Sequence, residues 1–134
     1  MAAFERVRHV SVTIDRPPHA VYEFVVNPEN LPRWAKGLST GIRQVDGEWV
    51  SDSPMGRVKV RFAERNAFGV LDHDVVLPSG ATVHNPMRVV ANGTASELVF
   101  TVFKRAGMTH EEFDADVAAV SGDLAALKSL LDAT

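Results

Sequence analysis

The chain has 134 residues, of which 46% are hydrophobic and 23% are charged, and it contains no cysteine. This length and composition predict one globular domain over residues 1–134, and the absence of cysteine excludes disulfides and thiolate metal sites. The net charge of −3 argues against a nucleic-acid partner, no apolar run is long enough to span a membrane, and the first residues lack the layout of a secretion signal, so we expect a cytoplasmic protein.

The first predicted element is a strand over residues 10–14, where apolar and polar side chains alternate. A short helix is expected after Asp15, because the two prolines that follow are tolerated in a first helical turn. A second short helix begins after Asn27 and carries Trp34. From there to about Lys104, the pattern indicates strands.

An Asp-Gly pair at residues 46–47 predicts the first hairpin. The next expected pair joins residues 57–62 to residues 71–76 around Asn66. In this register charged partners share one face and apolar partners share the other, which favours it. The expected pairs are Arg61 with Asp72, Lys59 with Asp74, Val60 with His73, and Val58 with Val75.

A further hairpin is expected around Asn92-Gly93, a strong two-residue turn signal. One face of this hairpin would be almost wholly apolar, and the other would carry an ion pair. The expected pairs are Arg88 with Glu97, His84 with Thr101, Met87 with Leu98, Asn85 with Phe100, and Val83 with Val102.

Residues 78–80 lie between the two preceding strands, and a three-residue loop there keeps their apolar faces aligned. Val75 then meets Val83, and His73 meets Asn85. We therefore expect His73 and Asn85 side by side on the concave face of the sheet. Asp72, Asp74 and His84 would point outward, so the sequence predicts no metal site.

The last predicted element is a long amphipathic helix. Thr109 and Glu112 form the pattern of a capping box at its start. At 1.5 Å per residue the helix would span about 33 Å, enough to cross a sheet. Its apolar stripe consists of Phe113, Val117, Val120, Leu124, Leu127 and Leu131.

This order of elements, together with four sequence segments, resembles the START-like (SRPBCC) superfamily and its polyketide cyclase/dehydrase-like members. The segments are VTIDRPP (12–18), VYEF (21–24), NPENLPRW (27–34) and DLAALK (123–128). The resemblance implies an α+β helix-grip fold: a curved antiparallel sheet of about seven strands, two short helices after the first strand, and a long C-terminal helix closing a cavity. Elsewhere in the superfamily this cavity takes lipids, sterols, plant hormones or aromatic polyketides.

Some members cyclise or dehydrate polyketide chains and many only bind, but no catalytic residue can be transferred, because the polar residues of those enzymes match no motif here. His73 is interpreted first as a core histidine hydrogen-bonded by Asn85, and alternatively as a polar anchor or acid–base group in an apolar pocket. The expected lining residues are His73, Asn85, Trp34, Val60, Met87, Phe100, Val117, Val120 and Leu124.

Three functions follow from these observations. The preferred one is binding of a small apolar or aromatic molecule between the sheet and the C-terminal helix, without a cofactor. The second is a cyclase/dehydrase-type enzyme that uses His73 as acid or base. The third is a homodimeric interaction module with a filled core and no ligand.

Gly122, inside the last helix, is interpreted either as a site of close approach by a neighbouring side chain or as a bend that admits ligand.

Overall fold

The computed structural model describes residues 4–134. The order of elements is the one expected from the sequence: a strand, two short helices, a run of strands and a long final helix. The elements are β1 (Val7–Ile14), α1 (Pro18–Val26), a 3₁₀ turn (Pro28–Asn30), α2 (Leu31–Trp34), β2 (Gly41–Val45), β3 (Glu48–Ser53), β4 (Gly56–Phe62), β5 (His73–Val76), β6 (Thr82–Asn85), β7 (Met87–Asn92), β8 (Ala95–Phe103) and α3 (His110–Asp132). Within this described part of the chain, no helix is both long and apolar enough to cross a membrane.

The strands form two antiparallel groups that are joined through one extended segment. β1, β8 and β7 are neighbours in that order, and β2 to β6 follow in chain order. Leu71 donates its N–H to the Met87 carbonyl at 2.8 Å, and Val89 donates to the Gly69 carbonyl at 3.0 Å. These bonds continue the β5–β6 pairing past Pro86, which interrupts the run because it has no N–H to donate. The expected antiparallel sheet of about seven strands is confirmed, with β6 and β7 as two halves of one run.

The long helix α3 begins as the sequence predicts. The Glu112 N–H donates to Thr109 Oγ1 at 3.1 Å, and the Thr109 N–H donates to Glu112 Oε1 at 2.8 Å. This reciprocal pair satisfies two amides that a helix start leaves without intrahelical partners. The helix packs chiefly against β1. Its buried residues are Phe113, Leu124, Leu127 and Leu131.

The expected register between β4 and β5 is wrong by two residues. Arg61 lies opposite Asp74 rather than Asp72, and its guanidinium binds both carboxylate oxygens of Glu48 on β3, at 3.1 and 3.0 Å. Because the shift is an even number, every side chain keeps its expected face. The observed pairs are Lys59–Val76, Val60–Val75, Arg61–Asp74 and Phe62–His73.

The shift arises in the connecting loop, which Asn66 organises. Asn66 Oδ1 accepts the N–H groups of Phe68 and Val70, both at 3.0 Å. Its Nδ2 donates to the carbonyls of Glu64 and Val70, also at 3.0 Å. Tyr22 Oη accepts the Asn66 N–H at 3.0 Å and so ties the loop to α1. The loop held by these five bonds spans residues 63–72, whereas the expected pairing left only residues 63–70 to connect the two strands.

The turn between β7 and β8 is also displaced. Asn92 pairs with Ala95, so Gly93 and Thr94 are the central residues. Gly93 has a φ of 61°, and a positive φ at the first central position only is the geometry of a type II′ turn, which favours glycine there.

This displacement changes the partners along the hairpin. Arg88 lies opposite Val99 and makes no ion pair with Glu97 in the described chain, and residues 82–85 pair with β5 instead of β8. The five pairs expected around Asn92-Gly93 are therefore wrong. The observed partners include Met87–Phe100, Arg88–Val99 and Val89–Leu98.

The β5–β6 pairing, in contrast, is confirmed. Residues 78–80 form the loop, His73 lies opposite Asn85, and Val75 lies opposite Val83. The Leu77 N–H closes the loop by donating to the Ala81 carbonyl at 2.8 Å.

Candidate functional site

A cavity of about 420 Å³ lies between α2, α3 and the strands β5, β6 and β8, and it opens to solvent on one side. Most of its wall is apolar, with a few polar groups. The lining residues include Trp34, Ala35, Leu38, Met55, His73, Val75, Leu77, Thr82, Val83, His84, Asn85, Phe100, Val102, Phe103, Arg105, Asp116, Ala119, Val120 and Asp123.

His73 is the most buried polar side chain of this wall, with 3% of its surface exposed. Its Nδ1 lies 3.0 Å from the Leu71 carbonyl oxygen, and a carbonyl only accepts, so Nδ1 carries the proton. Burial lowers the pKa of the imidazole, and the Leu71 carbonyl opposes this shift only in part. The ring is therefore neutral, and its Nε2 holds a lone pair.

Two aromatic rings hold the imidazole in place. The Phe62 ring centroid lies 5.0 Å from that of His73, and the Phe100 ring lies 5.6 Å away in an edge-to-face arrangement. Asn85, the expected hydrogen-bond partner, makes no side-chain hydrogen bond within residues 4–134, and the backbone of Leu71 takes that role. A contact between a side chain and the backbone carbonyl two residues earlier leaves no pattern in the sequence, so the sequence does not predict it.

Trp34 closes the cavity at the end of α2. The short helix is anchored by a hydrogen bond from the Ala35 N–H to the Leu31 carbonyl at 2.8 Å. The indole is buried, and its Nε1 has no hydrogen-bond partner among the described residues.

Asp123 on α3 is a cavity residue that the sequence did not predict. The side chain is about half-buried, and desolvation raises its pKa from 3.8 to about 6. Asp116, two turns earlier on the same face, pairs with Arg105 at 3.4 Å. The signal that could have found this face was the spacing of Asp116, Val120 and Asp123 in steps of four and three, beside the apolar stripe.

Five of the nine residues expected to line the cavity do so: His73, Asn85, Trp34, Phe100 and Val120. Four do not. Met87 and Leu124 are packed in the core with 1% exposure, Val117 is half-buried against it, and Val60 lies one strand farther along the sheet, opposite Val75. The expectation treated the stripe of α3 as a single surface, whereas most of it packs on the sheet and a neighbouring face turns to the cavity.

The family comparison matches residues 7–132 to a family described as polyketide cyclase / dehydrase and lipid transport. No curated protein matches the sequence. Several solved structures share the fold at low identity. XoxI from Bacillus cereus is 14% identical, with 93% of this chain and 94% of that chain covered and a TM-score of 0.72.

A START superfamily protein from Mycobacterium smegmatis is also 14% identical, with 94% of this chain and 97% of that chain covered and a TM-score of 0.67. DynU16, a protein of the dynemicin biosynthetic locus, is 16% identical; the match covers 94% of this chain and 47% of DynU16, with a TM-score of 0.71. At such identities these likenesses show the fold, while the family match spans almost the whole sequence. The chain therefore belongs to the polyketide cyclase / dehydrase and lipid transport family.

Proposed function

We propose that the protein binds a small apolar or aromatic molecule in the cavity between the sheet and α3. The observation that carries this proposal is the cavity itself: about 420 Å³, walled mainly by apolar side chains with few polar groups among them. Ligand sites of small molecules have volumes of roughly 300–1,000 Å³ and this kind of wall. Membership of a family described by polyketide chemistry and lipid transport supports the same class of ligand.

A second candidate is a cyclase/dehydrase-type enzyme. The observation in its favour is that a neutral imidazole, His73, and a carboxyl group of raised pKa, Asp123, line one cavity. A neutral base and a carboxyl group whose pKa is raised to about 6 are the kinds of group that proton transfer requires. The description of the family by polyketide cyclisation and dehydration favours a polyketide as the molecule acted upon.

The test is native mass spectrometry of the freshly purified protein, followed by organic extraction of any molecule that is carried along. We expect a mass increment that disappears on extraction, and the same spectrum reports the oligomeric state. Ala119→Trp, which fills the cavity from α3, should abolish the increment. Ala118→Trp is the matched control, because Ala118 is exposed on the same helix and lies outside the lining.

If extracts contain no small molecule and no apolar compound raises the melting temperature of the wild-type protein, the binding proposal fails. An increment that survives equally in both tryptophan variants would place the ligand outside this cavity. The enzyme candidate gains support only if an extracted compound is chemically changed on incubation with the protein and His73→Phe stops that change.

A further inference from the structure

The polar groups of the cavity wall restrict the chemical class of the ligand more than the volume and the apolar lining do. Since Nδ1 of His73 is committed to the Leu71 carbonyl, the second ring nitrogen is a hydrogen-bond acceptor only. Within residues 4–134 no protein donor reaches it. Asn85 lies directly across on β6 with its amide also unpaired in the described chain, and opposed positions bring Cβ atoms to within about 4.5–5.5 Å. The two unpaired polar groups therefore lie side by side on the cavity wall.

The charged residues of the cavity wall disfavour an anionic ligand. Arg105 is the sole arginine or lysine lining the described cavity, and Asp116 already pairs with it at 3.4 Å. His84 is bound to Asp74 at 2.6 Å. Asp123 adds an acid that has no ion-pair partner among the described residues. A carboxylate entering this space would lose hydration without gaining a cation, and buried charges of that kind are costly.

From these two observations we propose that the ligand is an uncharged apolar molecule with a hydroxyl group that donates its hydrogen to His73 Nε2 and accepts one from Asn85. The cavity selects against carboxylate-bearing molecules such as free fatty acids. This inference rests on the proposed function and narrows it to a class of ligand: phenols or alcohols on an apolar frame.

Three compounds with the same naphthalene ring test it: 2-naphthol, 2-methoxynaphthalene and 2-naphthoate. They differ in offering a donor hydroxyl, an acceptor only, or a negative charge. By isothermal titration calorimetry at pH 7.5, we expect 2-naphthol to bind roughly tenfold more tightly than 2-methoxynaphthalene. A buried acceptor that receives no hydrogen bond makes the free energy of binding less favourable. We expect 2-naphthoate to bind more weakly than both.

Variants of His73 and Asp123, two polar side chains of the cavity wall, provide the controls. His73→Phe keeps an aromatic ring between Phe62 and Phe100 but removes the acceptor, so 2-naphthol and 2-methoxynaphthalene should bind it within about twofold of each other. His73→Gln restores an acceptor oxygen and should recover part of the preference. Asp123→Asn removes a negative charge from the wall and should therefore improve binding of 2-naphthoate more than binding of 2-naphthol.

Nitrogen-15 spectra of the wild-type histidine rings provide a readout that needs no variant. We expect the His73 signals of an Nδ1-protonated ring, with the Nε2 resonance moving when 2-naphthol is added and staying in place with 2-methoxynaphthalene. Equal or tighter binding of 2-methoxynaphthalene or of 2-naphthoate would overturn this inference and leave the binding proposal intact. Failure of all three compounds to bind would also overturn this inference, while the extraction and melting-temperature experiment decides the binding proposal.

Discussion

His73 and Asn85 lie directly opposite each other on β5 and β6, and both line the cavity under α3. The loop over residues 78–80 fixes this juxtaposition, because its three residues keep the apolar faces of the two strands aligned. A one-residue change in the loop would move one of the two side chains to the outer face. The polar part of the cavity therefore depends on a turn that lies outside it.

The buried imidazole should make stability depend on pH. Burial lowers the pKa of His73 in the folded state, so the unfolded chain takes up its proton first as the pH falls through about 6.5. Folded-state stability contributed by the neutral ring is present above that pH and is lost below it. We expect the free energy of unfolding of His73→Phe to fall less than that of the wild type between pH 7.5 and 5, measured by urea denaturation.

His19→Gln controls for the loss of a histidine at an exposed position. It should follow the wild-type pH profile. If the stability of His73→Phe also depends on pH as that of the wild type does, the imidazole is not buried as a neutral base in the folded protein.

Asp123 should make the free energy of unfolding fall as the pH rises, which is opposite to the effect of His73, and the two effects should overlap in pH. Its pKa is raised to about 6, so the stability tied to its protonated form is complete below pH 3.8 and is lost as the pH rises through 6. Asp123→Asn removes the desolvated charge, and we expect it to raise the free energy of unfolding at pH 8 and to leave it nearly unchanged at pH 4. Urea denaturation at the two pH values measures both.

Asp114→Asn is the matched comparison, since Asp114 is exposed on the same helix. A gain at pH 8 that is as large in Asp114→Asn as in Asp123→Asn would assign the effect to helix charge rather than to the cavity.

The order of elements, the faces of the strands and the start of α3 could all be predicted from the sequence. These features depend on local patterns: two-residue alternation, turn residues, and the Thr109–Glu112 capping box. The register of β4 against β5 was missed because alternation fixes which face a side chain takes but not its position along the strand. A shift of two residues leaves every face unchanged.

The site was predictable only in part for a related reason. His73 and Asn85 were found because a short loop links their strands. Asp123 was missed because the apolar residues of α3 define the side that packs on the sheet, and whether a neighbouring polar side meets a cavity depends on how α2 is placed. The partner of His73 is the backbone carbonyl of Leu71, which every residue possesses and no sequence pattern marks.

The Asn66 loop gives a direct test of the corrected register. Its side chain makes four hydrogen bonds to loop backbone, each worth about 0.5–1.5 kcal/mol net. We expect Asn66→Ala to lower the free energy of unfolding by about 2–4 kcal/mol. Tyr22→Phe, which removes a single bond to the same loop, should cost about 1 kcal/mol. Urea denaturation compares them, and equal small losses would mean that the loop is not held by Asn66.

We expect alanine to have opposite effects on stability when it replaces Gly122 and when it replaces Gly69. A Cβ on Gly122 would meet nothing within 4 Å, so the reading of Gly122 as a point of close approach is wrong. Alanine there should raise the free energy of unfolding by about 0.5–1 kcal/mol, because glycine loses more backbone entropy in a helix. At Gly69, φ is +73° and a Cβ would lie 2.3 Å from the Val89 carbonyl oxygen, so alanine should destabilise the protein.

Stopped-flow measurement of ligand association then separates stability from access at Gly122. If the glycine serves as a bend that admits ligand, Gly122→Ala should slow association while raising stability, since a stiffer α3 opens less often. An unchanged association rate would leave the glycine without a role in entry. The open space around it favours that second result, because nothing in its surroundings requires the helix to yield at this position.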